Sequence, residues 1–196
     1  MDLSQEDLST TDKILRAAIG LMEQRSFKSV TMKEIAAVAQ VSEMTVFRHF
    51  ESKKNLLEAA VKRYSFIRPM QEIFENKITW ILEDDLLLIS KLYQEGMKKN
   101  KSIFLIGMQE RNTMPEIKKI ALENPQQLKK FLIAYFIEMQ DKKKIVASDP
   151  EAQAIAFMFM NFGYFFATVI GKEITEIPSE EFIQQSVQIF ARGLQL

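Results

Sequence analysis

Between Thr31 and Phe50 the chain holds two amphipathic segments of barely two turns each, joined through Val41. Thr31 and Glu34 have capping-box spacing, and Ile35, Ala36 and Ala39 follow on one face. Ser42 suits the N-cap of the second segment, in which Val46, Phe47 and Phe50 are expected to face inward. Helices this short are marginal in water, so they persist only by packing on neighbours. Ser9 to Asp12 has the form of a helix start, and Ile14, Leu15, Ala18, Leu21 and Met22 carry a first helix to about Arg25. Ser52 caps a fourth, with Leu56, Leu57, Ala60, Val61 and Tyr64 in one stripe and a break or kink at Pro69. This is the pattern of a helix-turn-helix, whose second helix docks by its buried face and projects the opposite one. Here the projecting face carries Glu43, Met44, Thr45, Arg48 and His49.

Only six Gly and five Pro in 196 residues suggest few turns, and the wealth of Leu, Ile, Phe, Met, Lys and Glu favours an all-α fold. With no Cys and a single His, thiolate nucleophiles, iron–sulfur clusters and Cys-ligated or two-His metal sites are excluded. An enzyme built on this chain would rest on carboxylates, Lys or Tyr. No catalytic residue, metal site or cofactor is expected. Lys plus Arg and Asp plus Glu both number 26, but the cancellation is between segments. From Lys13 to Arg68 eleven basic residues stand against five acidic ones, while Asp2, Glu6, Asp7 and Asp12 precede them. The N-terminus lacks the basic flank and apolar core of a signal peptide, so a cytoplasmic location is expected. Ala152 to Ile170 is the most apolar stretch; Gln153 and Asn161 interrupt it, and it reads as a buried core helix rather than a membrane span.

The run TMKEIAAVAQVSEMTVFRHFESKKNLL, Thr31 to Leu57, resembles the N-terminal DNA-binding domain of the TetR family of bacterial transcriptional regulators. The likeness rests on the Thr-x-x-x-Ile-Ala opening, the Val-Ser turn, the Thr-Val-Phe-Arg-His-Phe recognition helix, and Ser-x-Lys before Leu56 and Leu57. It implies that Thr31 and Lys33 meet phosphate and an adjacent base edge, that Met44, Thr45, Phe47, Arg48 and His49 lie at recognition-helix contact positions, and that Lys53 binds phosphate. Arg48 could pair with guanine O6 and N7, and Thr45 with phosphate or a thymine methyl. His49 reads either as a phosphate contact or as a packed side chain. Ser26 and Gln40 stand where the family usually has Gly, and Phe47 replaces a common Tyr. Met44 replaces a small or basic residue. Fewer polar contacts imply weaker backbone anchoring.

By motif the likeness covers roughly residues 10 to 57; beyond them it is only one of length and helical character. The pattern is helical from Met70 to Asn100, again from Ser102 to Arg111, and from Pro115 to about Gln140 with Pro125 as a point of bending. Lys142 to Lys144 reads as a solvated turn. Asp149-Pro150-Glu151 opens a helix that runs to about Gly171, and Ser179 caps the last. In the former, Ile155, Met158, Phe162, Phe165 and Val169 form a bulky row, and Ala156, Met160, Gly163 and Ala167 a smaller one. The resemblance implies a dimeric four-helix interface, for which Ala156, Met160, Gly163, Ala167, Ile183, Val187 and Phe190 are candidates. It also implies an effector pocket, with Trp80, Phe104, Met108, Phe162 and Phe165 as candidates; ordinary core packing is the other explanation for each.

The expectation is therefore a helix-turn-helix DNA-binding domain at 1–51, with helices near 10–25, 32–39 and 43–50, and a larger helical effector-binding and dimerisation domain at 52–196, linked through the fourth helix. Its partners would be a double-stranded DNA operator, a small apolar effector and a second copy of itself, and its action that of a repressor. The alternative is an all-α small-molecule-binding protein or carboxylate-based enzyme with a degenerate helix-turn-helix.

Overall fold

A computed structural model describes residues 9–63, 67–110, 115–171 and 173–196, and side chains other than those of 115–121. Asp2, Glu6 and Asp7 of the tail, Tyr64 and Arg111 lie outside the described residues. The protein is all-α, with no strand among the described residues. Chain contacts divide it into two compact units, residues 1–64 with 100–122, and 65–99 with 123–196.

The first unit holds α1 (Thr10–Arg25), α2 (Met32–Ala39), α3 (Glu43–Phe50), α4 (Lys53–Arg63) and α7 (Lys101–Glu110). Its caps are those the sequence advertises. Ser9, Thr31 and Ser42 each accept from the backbone N–H three residues on, and Ser52 accepts from Asn55 N at 3.1 Å. At Thr31 the box is complete: Thr31 N and Oγ1 both donate to Glu34 Oε2 at 2.8 Å, and Glu34 N donates back to Thr31 Oγ1 at 3.2 Å. The short α2 and α3 are held by one core, in which Ile14, Ala18, Met22, Ile35, Val46, Leu56 and Ala60 are fully buried. Leu56, Leu57 and Ala60 of α4, the linking helix, belong to that core, and so does Ile106 of α7. Ser102 Oγ at the start of α7 donates to Glu23 Oε2 of α1 at 2.6 Å.

Two backbone positions carry the departures from glycine. Gln40 ends α2 in the left-handed region at φ 57°, ψ 43°, and Ser26 closes α1 at φ 73°. Gln40 costs about 1–2 kcal/mol without glycine, and Ser26, whose ψ of 155° takes it into a region kept almost wholly by glycine, about 1–3 kcal/mol. Around Ser26 the chain is fastened by Lys53, whose Nζ donates to the carbonyls of Phe27 (2.5 Å), Val30 (2.6 Å) and Lys28 (3.3 Å) and sits 4.5 Å from the Phe27 ring centre.

The second unit holds α5 (Ile67–Asn76), α6 (Leu82–Lys99), the later part of α8 (Pro115–Asp141), α9 (Pro150–Ile170) and α10 (Ser179–Arg192). Pro69 lies in the first turn of α5 rather than ending α4, because a missing N–H costs nothing there. The helical pattern read from Met70 to Asn100 is interrupted between Asn76 and Leu82. The cause is Asp85, 1% exposed, whose Oδ1 accepts from Thr79 N (2.8 Å) and Oγ1 (2.9 Å) while Oδ2 accepts from Tyr135 Oη at 2.9 Å. Trp80, at φ 62°, then stacks on Tyr135 with ring centres 5.8 Å apart. The turn read as solvated is partly engaged: Lys142 Nζ lies 4.9 Å from the Trp80 ring centre, and Lys144 Nζ donates to Trp80 O at 2.8 Å.

Asp149 caps α9 through Glu151 N, as read, but Pro178 is the N-cap of α10 and Ser179 its first residue. The buried side of α9 is Gln153, Ala154, Phe157, Asn161, Tyr164 and Phe165; of the bulky row only Phe165 belongs to it, and Ile155, Met158, Phe162 and Val169 are half-buried. Gln94 Nε2 of α6 donates to Asn161 O at 2.8 Å, and Asn161 Nδ2 donates to Phe157 O at 3.0 Å. A helix apolar on every side has no hydrophobic phase, so this amide pair sets its rotation.

Two outcomes follow for stability. Glu34 has its pKa lowered to about 2 by the hydrogen bonds from Thr31 and the ion pair with Arg25. A carboxyl that is more acidic folded than unfolded stabilises the fold above the unfolded value of about 4.3 and loses that contribution as pH falls towards 2. The melting-temperature difference between wild type and Glu34→Gln is therefore constant above about pH 5 and closes on acidification. Tyr135→Phe strips one donor from a buried carboxylate and is expected to lower the urea-unfolding free energy by about 1–3 kcal/mol.

Candidate nucleic-acid interface

Val46 and Phe50 fix α3 to the core, so its other faces are turned outward in a determined orientation. Met44 is 74% and Phe47 56% exposed, and Arg48 and His49 are exposed beside them. Phe47 is thus not an inward residue. It lies a single position from buried Val46, and the 100° step of a helix takes it out of the core. Lys33 is exposed on the first turn of α2. Neither Lys33 nor Arg48 has an acidic partner among the described residues.

The remaining candidates are more constrained. Thr31 spends its hydroxyl on the capping box, and Glu34 already sits at the α2 N-terminus, so a phosphate arriving there meets a carboxylate paired with Arg25 at 2.8 Å. Thr45 Oγ1 lies 2.8 Å from Ser42 Oγ. His49 Nδ1 lies 3.4 Å from Thr11 Oγ1 of α1, at the edge of the face. Lys53 is the most fully engaged. An ammonium has three donors, and three loop carbonyls take them. Burial lowers its pKa, with Glu110 and Glu34 acting in the opposite sense. Lys53 holds the α1–α2 loop, and so the approach to Thr31 and Lys33, a use of its ammonium distinct from the phosphate contact expected from the sequence. Nothing in its sequence position distinguishes the two uses.

In the second unit, Ile183 (3% exposed) and Val187 (fully buried) lie in the unit's own core, where α10 packs on α6, and Phe190 meets Phe157 and Phe136 at 5.5 and 6.3 Å between ring centres. Ile183 and Val187 are thus enclosed by their own chain, whereas Phe190 is half-buried. Ala156 and Gly163 are exposed, and Met160 and Ala167 half-buried. A row not recognised from the sequence runs Ala152, Ala156, Phe159, Gly163, Phe166, Ile170; all six are exposed, at alternating spacings of four and three. Such spacing is the seam of a helix pair, and it was present to be counted. On α10 the outward residue is Ile189, 72% exposed.

The pocket candidates fall in both units. Phe104 and Met108 are on α7 in the first, Met108 being 42% exposed. In the second, Phe165 is buried and Phe162 adjoins Phe159, Phe165 and Phe166. Trp80 is separate from that cluster in its contacts: its stacking on Tyr135 and its lysine neighbours give it a structural task.

Comparison with known proteins agrees with the reading of the first unit. The sequence profile of the bacterial regulatory proteins of the tetR family matches residues 14–60. The uncharacterized HTH-type transcriptional regulator YvkB of Bacillus subtilis (strain 168) is 32% identical over 187 residues, covering 94% of this chain and 97% of that one. Among solved structures, NalD, the secondary repressor of the MexAB-OprM multidrug efflux pump in Pseudomonas aeruginosa, superposes with a TM-score of 0.77 at 16% identity over 95% of this chain and 96% of its own. A transcriptional regulator from Saccharomonospora viridis in complex with choline gives 0.75 at 19% identity over 95% and 97%. The chain belongs to the TetR family and is a helix-turn-helix transcriptional regulator, not an enzyme.

Proposed function

We propose that the protein is a homodimeric repressor that occupies a pseudo-palindromic operator and leaves it when a small apolar effector binds the second unit. The observation that carries the reading is the outward face of α3, where Arg48 stands exposed beside Met44, Phe47 and His49, with Lys33 exposed on α2. Arg48 is the base reader, a fork suited to guanine O6 and N7, and Lys33 is a backbone contact. Thr31, Thr45 and His49 are peripheral contacts whose hydroxyls and ring exchange present partners for phosphate. Repression is supported by the similarity to NalD, a repressor, and small-molecule binding by the choline complex of the Saccharomonospora regulator.

Two copies are needed because one eight-residue helix reads only part of a turn of DNA; paired recognition helices about 34 Å apart read successive major grooves. The second copy docks on the exposed row of α9, with Gly163 at its middle. A Cβ placed on Gly163 meets nothing within 4 Å, so this position is open within one chain. An effector acts only through a differential affinity for the two spacings of the reading heads.

Fluorescence anisotropy against the duplex upstream of its own gene, at several salt concentrations, measures the first claim. Arg48→Ala is expected to weaken binding by about 1–3 kcal/mol, roughly fivefold to a hundredfold, whereas Lys33→Ala reduces the slope of log K against log salt by about one. Binding insensitive to salt and to both substitutions refutes the assignment. For the dimer, Gly163→Leu is expected to keep its helical circular dichroism and shift sedimentation at micromolar concentration from dimer to monomer; an unshifted dimer places the interface elsewhere. Native mass spectrometry of freshly purified protein, followed by adding back any co-purified molecule to the DNA complex, tests the effector.

A further inference from the structure

Met44 and Phe47 are three residues apart on α3 and share a face. They are 74% and 56% exposed, on a helix whose other apolar residues, Val46 and Phe50, are buried. Two large apolar side chains left in water on so short a helix are costly unless something covers them. Their surroundings say what. Arg48 lies one turn beyond Met44 and Lys33 is exposed on the preceding helix, so the patch keeps company with two cations and suits a polyanion. Phosphate offers a thioether or a phenyl ring nothing, because neither can donate a hydrogen bond to it. Glu43, exposed in the first turn beside Met44, repels phosphate from that edge. What remains is the floor of the major groove. There every base presents a hydrogen-bond donor, an acceptor or both, but only thymine presents a methyl group, at C5.

We infer that Met44 and Phe47 read thymine C5-methyl groups, so that each operator half-site carries thymine under the middle of α3, beside the pair read by Arg48. The inference rests on the proposed DNA-binding function and adds to it the chemistry of the bases selected. It also gives a use to the missing phenolic hydroxyl at Phe47: contact is moved from backbone to base, and sequence discrimination rises as non-specific anchoring falls.

The test uses the full-length protein and a pool of random duplexes, from which bound molecules are selected and sequenced. The selected duplexes are then remade with uracil in place of thymine, which removes the methyl and leaves pairing unchanged. Thymine is expected to be enriched in both half-sites, and the uracil duplex to bind more weakly by roughly fourfold for each methyl buried. In the Met44→Ala/Phe47→Ala double variant that ratio is expected to fall to about one, with the salt slope unchanged because no phosphate contact is lost. Both residues are exposed, so the variant should keep the wild-type melting temperature. Equal affinity of wild type for the thymine and uracil duplexes overturns the inference while leaving DNA binding intact. So does a thymine preference that survives in the double variant, which assigns the methyl to another residue or to duplex shape. A pool from which nothing is selected overturns the DNA-binding reading itself, and this inference with it.

Discussion

Two helices of eight residues cannot hold themselves together in water, and everything this protein does with DNA depends on how α2 and α3 are held. Three devices act at once. Side-chain caps at Thr31 and Ser42 satisfy the first N–H groups, a common core takes Ile35, Val46 and Phe50, and Lys53 draws the preceding loop together by its carbonyls. The consequence is orientation. Because α3 is pinned by residues on one side, the side chains on the other sit at fixed angles, and a reading face becomes a property of packing rather than of α3 alone.

The second unit solves a different problem. α9 is long and apolar enough by composition to cross a bilayer, and a helix of that kind packs in many rotations with nearly equal energy. Two amides remove the degeneracy. Gln94 and Asn161 find each other only when α9 turns one side to α6, and a buried amide left unpaired costs about 1–3 kcal/mol. With that side fixed, the row from Ala152 to Ile170 is left facing out.

What could be read from the sequence divides along the same line. Caps are local chemistry, and Ser9, Thr31, Ser42, Ser52 and Asp149 all act where their spacing placed them. The recognition helix was legible because its residues form a dense motif. Phase around a helix is not local when apolar residues lie on all sides, so the buried side of α9 and the inward placement of Ile183 and Val187 escaped. Long-range polar partners escaped too. Asp85 lies inside a run that reads as helical throughout, and its pairing with Thr79 and with Tyr135, fifty residues on, accompanies the break in that run beside Trp80. Lys53 is the same lesson at a functional position, since its loop carbonyls are more than twenty residues away.

The first unit is closed by α7, which arrives from beyond residue 100, lays Ile106 into the core and ties Ser102 to Glu23. The reading head is consequently discontinuous along the chain. A fragment ending after Arg63 would carry every residue proposed to meet DNA and yet leave the α1 surface that α7 covers open to water. Recombination that exchanged the first sixty residues between relatives would have to find, in its new host, an α7 shaped for the same surface. That coupling ties the inheritance of the DNA-facing helices to a segment lying in the middle of the gene.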